Sequence, residues 1–279
     1  MSKLRNFSPE RIDRRIVWWL ILIVITAPLL VPLNIPVTVN PNTIKVYNYV
    51  QGLQPGSVAL VSLGMSAGAW PELDPLARAF FWHLMQKNVK VVLVGFGIPD
   101  TGVLCETLIK EVESSGATVG KKYGVDYVNV GFIPGGEITL AALTSNFQAV
   151  VKADFRKTPA NELPLLAGIR DYRDITFAVD FDGVGDYLQW VRQWVPVAKK
   201  PVICMPTAAA SVEPQPFFSS GQLFSIVAGL HGGAEYERLI NRPAFATRSM
   251  DMVSVAHFTF LGLVIVGNIF YFSGREKKK

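Results

Sequence analysis

Twenty consecutive residues without a charge, Val253 to Phe272 (VSVAHFTFLGLVIVGNIFYF), constrain this chain more than any other feature. A run of that length is what a helix needs to cross the hydrocarbon core of a bilayer. Tyr271 and Phe272 stand at its end, and the cluster Arg275-Glu276-Lys277-Lys278-Lys279 follows it. A second uncharged run, Ile16 to Leu33, lies near the other terminus, with Trp18 and Trp19 near its start and Pro28 and Pro32 near its end. Aromatic residues favour the membrane–water boundary, and prolines bend or stop a helix. The sequence therefore predicts transmembrane helices over 16–33 and 253–272.

Charge gives the orientation. Residues 1–15 hold five basic side chains (Lys3, Arg5, Arg11, Arg14, Arg15) against Glu10 and Asp13. Residues 274–279 hold four basic side chains against Glu276. These two tails carry more than the whole net charge of +5, so the chain between them is close to neutral. Basic residues collect on the cytoplasmic side of a span. Both tails, 1–15 and 273–279, are then cytoplasmic, and residues 34–252 form a domain outside the cytoplasm, in a double-pass plasma-membrane protein. Arg242 and Arg248, on the other side of the second run, pull slightly against that orientation. A cleaved signal peptide is the competing reading of the first run, but Thr26-Ala27-Pro28 makes a poor cleavage site. His257 and Asn268 inside the second run are expected to join helices rather than to carry protons. A neutral domain gives no basic surface for nucleic acid; the expected partners are the lipid bilayer and other membrane proteins, in a homo- or hetero-oligomer.

The middle of the chain alternates apolar runs with amphipathic stretches. Ser57–Leu63, Val89–Phe96, Tyr127–Phe132, Ile175–Phe181 and Pro201–Met205 read as buried strands. Leu73–Lys87, Thr101–Ser115, Glu137–Val151, Gly185–Val195 and Gly221–Ile240 read as helices. Strand–helix units in series predict an α/β fold with a doubly wound, mainly parallel sheet of about five strands. Ligands of such sheets bind at the carboxyl ends of the strands.

Several motifs fall at those ends. Gly64-Met65-Ser66-Ala67-Gly68 matches G-x-S-x-G between a strand and a helix, and Asp180 or Asp182 and then His231 follow in the chain order of a hydrolase triad. The run GMSAGA resembles the nucleophile turn of the cyanophycinase and dipeptidase E group of serine peptidases, although there the turn follows a later strand. That gives one candidate catalytic set, Ser66, Asp180 and His231. Gly95-Phe96-Gly97 with Gly102 lacks the glycine spacing of a dinucleotide fingerprint, so no cofactor is expected. Asp180-Phe181-Asp182-Gly183 with Asp186 lacks the spacing of a Ca²⁺ loop, so no metal is assigned. Gly135-Gly136-Glu137 opens a helix whose N–H groups suit an anion, but Glu137 would repel one. Cys105 and Cys204 fall on a helix and a strand and read as two buried thiols.

The glycines and alanines between Gly221 and Ala234 imply close packing against another backbone, in this domain or in a second subunit. Pro55-Gly56-Ser57, Lys122-Tyr123-Gly124-Val125-Asp126-Tyr127, Gly221-Gln222-Leu223 and Gly233-Ala234-Glu235-Tyr236-Glu237 resemble a family of membrane-anchored bacterial and archaeal proteins with an extracytoplasmic α/β domain. The resemblance spans Val46 to Arg248; it implies the architecture and supplies no catalytic residues. The leading expectation is a non-enzymatic structural or scaffolding component of an envelope assembly, with a serine hydrolase using Ser66 and a small-ligand receptor as alternatives.

Overall fold

A computed structural model describes residues 13–275 of the chain. The basic residues Lys3, Arg5, Arg11 and Lys277 to Lys279, on which the expected orientation rests, lie outside the described residues. The chain divides into two compact units, Val37–Ala246 and the terminal segments Met1–Pro36 with Thr247–Lys279.

In the terminal unit, helix α1 spans Arg14–Leu30 and opens with the Asp13 carboxylate accepting the Arg15 N–H. It stops where Val31 precedes Pro32, a position whose preference for extended backbone ends helices. Its 17 residues rise about 26 Å, less than the roughly 30 Å of a bilayer core. The final helix, Phe245–Arg275, contains the one segment among the described residues that is long and apolar enough to cross a membrane, Phe245–Ile269. The expectation of two such helices is corrected to one among the described residues by this measure, because the first runs through Pro28 but stops before Pro32. His257 and Asn268 each bond a carbonyl one turn back on their own helix, Val253 O and Val264 O. Asp251 is buried, and its carboxylate accepts the backbone N–H groups of Leu33, Asn34 and Ile35 at 2.8–2.9 Å, which fixes the chain leaving α1.

The larger unit is built on six strands: β1 (Val58–Gly64), β2 (Lys90–Gly95), β3 (Tyr127–Phe132), β4 (Phe177–Asp182), β5 (Val202–Pro206) and β6 (Ser225–Ile226). All pairings are parallel and the order is β3-β2-β1-β4-β5-β6. That is the order of a Rossmann-like sheet, which reverses direction between β1 and β4. The principal helices are α2 (Pro41–Gln51), α3 (Trp70–Gln86), α4 (Thr101–Ser114), α5 (Gly136–Ser145) and α6 (Gly229–Leu239); the final helix, Phe245–Arg275, is α7.

Strand side chains alternate between two cores. Val61, Leu63, Val179, Phe181 and Met205 pack with α3, α4 and Tyr236 on one face. Leu60, Val94, Ala178, Val202 and Cys204 pack with Leu140, Trp190 and Trp194 on the other. Burial on both faces is why the strands read as continuous apolar runs. Cys105 and Cys204 are both buried and free.

Three expected helices change. Gly221–Ile240 is not one helix: Ser225–Ile226 adds the sixth strand, bounded by Gly221 at φ +78° and Gly229 at φ +55°, a region that interrupts a right-handed helix. Glu137–Val151 breaks at Asn146, which is extended and caps a short new turn with its side chain. Gly185–Val195 holds a π-helical turn, Trp190–Trp194.

The small-residue run finds its partner inside the domain. A Cβ on Gly233 would lie 3.0 Å from the Ala246 Cβ and 3.4 Å from the backbone N of Leu76 in α3. The same helix explains Gly233-Ala234-Glu235-Tyr236-Glu237. Buried Glu235 accepts the Asn40 N–H and the Thr43 hydroxyl at the start of α2. The Tyr236 hydroxyl meets His83 Nδ1 at 2.9 Å, and Glu237 accepts the N–H groups of Ala244 and Ala246 at 2.8 and 3.0 Å. These two carboxylates tie the segments at both ends of the α/β unit to its core.

Candidate functional site at the strand crossover

The carboxyl ends of β1 and β4 flank the point where the strand order reverses, and three aspartates gather there. Parallel register sets Ser62 beside Asp180 and Gly64 beside Asp182, and Asp180 beside Cys204 on β5. Residues two apart share a face, so Ser62 and Asp180 fall on the face of Leu60, Ala178 and Cys204. Asp180 is fully buried and neither carboxyl oxygen has a hydrogen-bond partner. Burial pushes its carboxyl well above the usual range, and Asp182 and Asp186 push it further. Ser62 and Trp190 act in the opposite sense, but neither meets it in hydrogen-bond geometry. Burial and the neighbouring carboxyls both favour the protonated form of Asp180 over the ionised one.

Asp182, also fully buried, closes the turn after β4. Its Oδ1 accepts the N–H groups of Val184, Gly185 and Asp186 at 3.0, 2.6 and 3.0 Å, while its Oδ2 is unpartnered. Asp186 accepts from Gln189 Nε2 at 2.8 Å through Oδ1, and its Oδ2 is unpartnered. Burial first, and Asp182 second, push the Asp186 carboxyl up to about 6.

Two glycines make room for these groups. A Cβ on Gly64 would lie 2.8 Å from Asp186 Oδ2 and 3.2 Å from Asp180 Oδ1, so the two carboxyls converge on that backbone. A Cβ on Gly97, in the loop that follows β2, would overlap the Asp186 carboxylate. Gly97 is itself exposed, so Asp186 lies one glycine from solvent. The loops are stitched together by the Gly183 N–H on Gly64 O at 2.8 Å. Among the described residues no Lys, Arg or His pairs with any of the three aspartates. No group of three or more His, Cys, Asp or Glu among them is placed to hold a metal ion. Cavities of about 280 and 360 Å³ lie elsewhere in the unit, the larger beside β3.

The residues of the expected catalytic set each have their own local setting. Ser66 lies half-buried on the turn between β1 and α3, its carbonyl accepting from Ala69 and Trp70. None of residues 64–68 adopts a positive φ, so the turn lacks the strain of a nucleophile elbow. His231 is exposed in α6 and its Nε2 meets Glu235 at 3.0 Å. No hydrogen bond joins Ser66, Asp180 and His231, since both Asp180 oxygens are unpartnered and the His231 contact is to Glu235.

The glycine-rich turns also have local explanations. Gly95 lies against the Thr101 side chain and Gly97 against Asp186, so an acid stands where a pyrophosphate would need neutral or positive surroundings. Gly135 and Gly136 take φ of +111° and +54°, and Glu137 accepts from Gln193 Nε2 at 2.7 Å. The aspartate triplet was visible in the sequence as Asp180-Phe181-Asp182 with Asp186. The parts played by Gly64 and Gly97 were not, because only the β1–β4 and β1–β2 pairings bring those loops together.

Fold and site define a Rossmann-like α/β protein with an acidic crossover and, among the described residues, one helix long and apolar enough to span a membrane. No protein-family model and no curated protein sequence matches the chain.

Proposed function

We propose that this chain is a membrane-anchored receptor domain for a small cationic ligand, an amine or guanidine, bound at the crossover between β1 and β4. The observation that carries the proposal is Asp180: a fully buried carboxyl without a donor, beside two further carboxyls that each keep an oxygen unpartnered. Burying a polar group without a partner costs roughly 1–3 kcal/mol, and a cation with N–H donors removes that cost. Such a ligand displaces the Asp180 proton, so binding strengthens as pH rises. The carboxyl ends of the strands are where ligands of this sheet class bind.

Membrane anchorage draws support from large apolar side chains that the rest of the described chain leaves exposed. Trp18 is 70% exposed and Trp19 63% on α1; Phe258 is 70% and Phe260 67% exposed on α7. Side chains of that size in rows call for lipid. The double-pass topology, with both termini cytoplasmic and the domain outside, belongs to this proposal. The resemblance to membrane-anchored bacterial and archaeal proteins is in keeping with it. An assembly role draws on the terminal helices alone, since the small-residue run packs against α3.

The test is thermal unfolding of the detergent-solubilised full chain with a panel of amines, polyamines and guanidines, at pH 5 and pH 8. A true ligand at a hundred times its Kd adds about 2.7 kcal/mol of stability. The expected result is a shift larger at pH 8 and abolished in Asp180→Asn and Asp186→Asn. Equal shifts in those variants, or none from any cation, would refute the receptor reading.

A further inference from the structure

We infer that the cavity between α3, α4 and the start of α7 seats the phosphodiester of a membrane phospholipid, with Arg242 as its counter-ion. The cavity has a volume of about 280 Å³; Trp82, Ile240 and Phe245 give it apolar walls, and Arg78, Arg242, Glu111 and Glu237 give it charge. The two arginines differ. Arg78 is spoken for: it pairs with Asp74, and its Nε lies 3.6 Å from Glu111. Arg242 has no carboxylate partner among the described residues. Its guanidinium instead lies over the Trp82 ring, 4.6 Å from the centroid.

Stacking on an indole holds the guanidinium plane and leaves its edge N–H groups free, the arrangement that suits a bidentate phosphate contact. Glu237 on the same lining is engaged by the N–H groups of Ala244 and Ala246, so Arg242 is left as the cation that matches the single negative charge of a phosphodiester. The source follows from the chain itself. Phe245, on the cavity wall, is the first residue of the segment Phe245–Ile269 that is long and apolar enough to cross a bilayer. Glu237 fixes the backbone there by accepting from Ala244 and Ala246. A cavity with an apolar wall and a free arginine, joined directly to a spanning helix, takes a lipid headgroup ahead of a soluble phosphate ester. The same contact gives Arg242 a role on the side of the span where a basic residue runs against the charge rule.

This inference rests on the membrane reading above, and the experiment separates the two. The full chain is expressed in bacterial membranes, the membranes are washed with alkaline carbonate, and the protein is purified in mild detergent. Bound phospholipid per protein is then measured by native mass spectrometry. The expected result is about one phospholipid retained by the wild type, a loss of at least fivefold in Arg242→Gln, and a partial loss in Arg242→Lys, which keeps the charge but not the fork. Millimolar inorganic phosphate or glycerol 3-phosphate should not displace it. Unchanged protection of Cys105 and Cys204 from thiol reagents shows that each variant is folded, and Trp82→Leu serves as a second variant where Arg242→Gln fails that check. Chain released by carbonate would refute the membrane reading and this inference with it. Chain that stays in the membrane but retains lipid equally in wild type and variants would refute this inference alone, as would displacement by soluble phosphate.

Discussion

Asp180→Asn should make the domain more stable at neutral pH and leave it little changed in acid. Asparagine keeps the shape of the carboxyl and cannot ionise. In the native state burial, then Asp182 and Asp186, raise the Asp180 pKa well above its ordinary value. In the unfolded chain it titrates near 3.9. Above that pH the unfolded chain releases a proton that the native state keeps. A group raised in this way gives its full stability below the unfolded value and loses it as pH rises toward the folded value. One linked proton is worth about 1.4 kcal/mol per pH unit, so between pH 5 and pH 7 the wild type loses up to about 2.7 kcal/mol that the variant does not. Asp186, raised to about 6, adds a slope of the same sign that both proteins share until that pH is passed. The assay is urea unfolding of the solubilised full chain at half-unit steps from pH 4.5 to 7.5, read by labelling of Cys105 and Cys204, which are buried and free. Parallel curves for wild type and variant would refute the reasoning, as would a variant less stable at pH 7 than at pH 4.5 by the same margin as the wild type.

Other consequences follow from single contacts. Gly97→Ala places a Cβ against the Asp186 carboxylate and should expel it from the crossover; chemical-shift titration would show the Asp186 pKa falling toward that of an ordinary aspartate. Asp251→Ala strips the acceptor from three backbone N–H groups, at a cost of roughly 3 kcal/mol, and limited proteolysis should then cut between residues 31 and 37. Tyr236→Phe removes the buried partner of His83 and should cost about 1 kcal/mol in urea unfolding. Ser66→Ala should shift stability by less than about 0.5 kcal/mol, and a fluorophosphonate probe should label neither protein, because no histidine among the described residues bonds Ser66.

The fold class was legible because both faces of the sheet are covered. The apolar runs around Val58–Gly64, Lys90–Gly95 and Phe177–Asp182 announce buried parallel strands, and helices between them follow from the right-handed crossover that parallel pairing requires. Ser225–Ile226 was not legible: two residues show no period, and only pairing with Ile203 and Cys204 makes them a strand. The length of α1 was overestimated because an apolar run continues through Pro32, whereas the helix stops before it.

Composition and pattern by themselves determined an α/β domain between two apolar termini, neutral in the middle and basic at the ends. These are properties of local sequence, since hydrophobic period and charge act on the nearest turn of backbone. Tertiary structure alone decided which motifs become a site. Chain order suggested Ser66, Asp180 and His231, but Asp180 faces the second core while His231 pairs with Glu235 on an exposed helix face. The β3-β2-β1-β4-β5-β6 order instead brings the β1, β2 and β4 loops together, where Gly64 and Gly97 leave the space that Asp180 and Asp186 occupy. Whether a carboxyl is solvated or orphaned depends on groups more than a hundred residues away, and no local pattern carries that information.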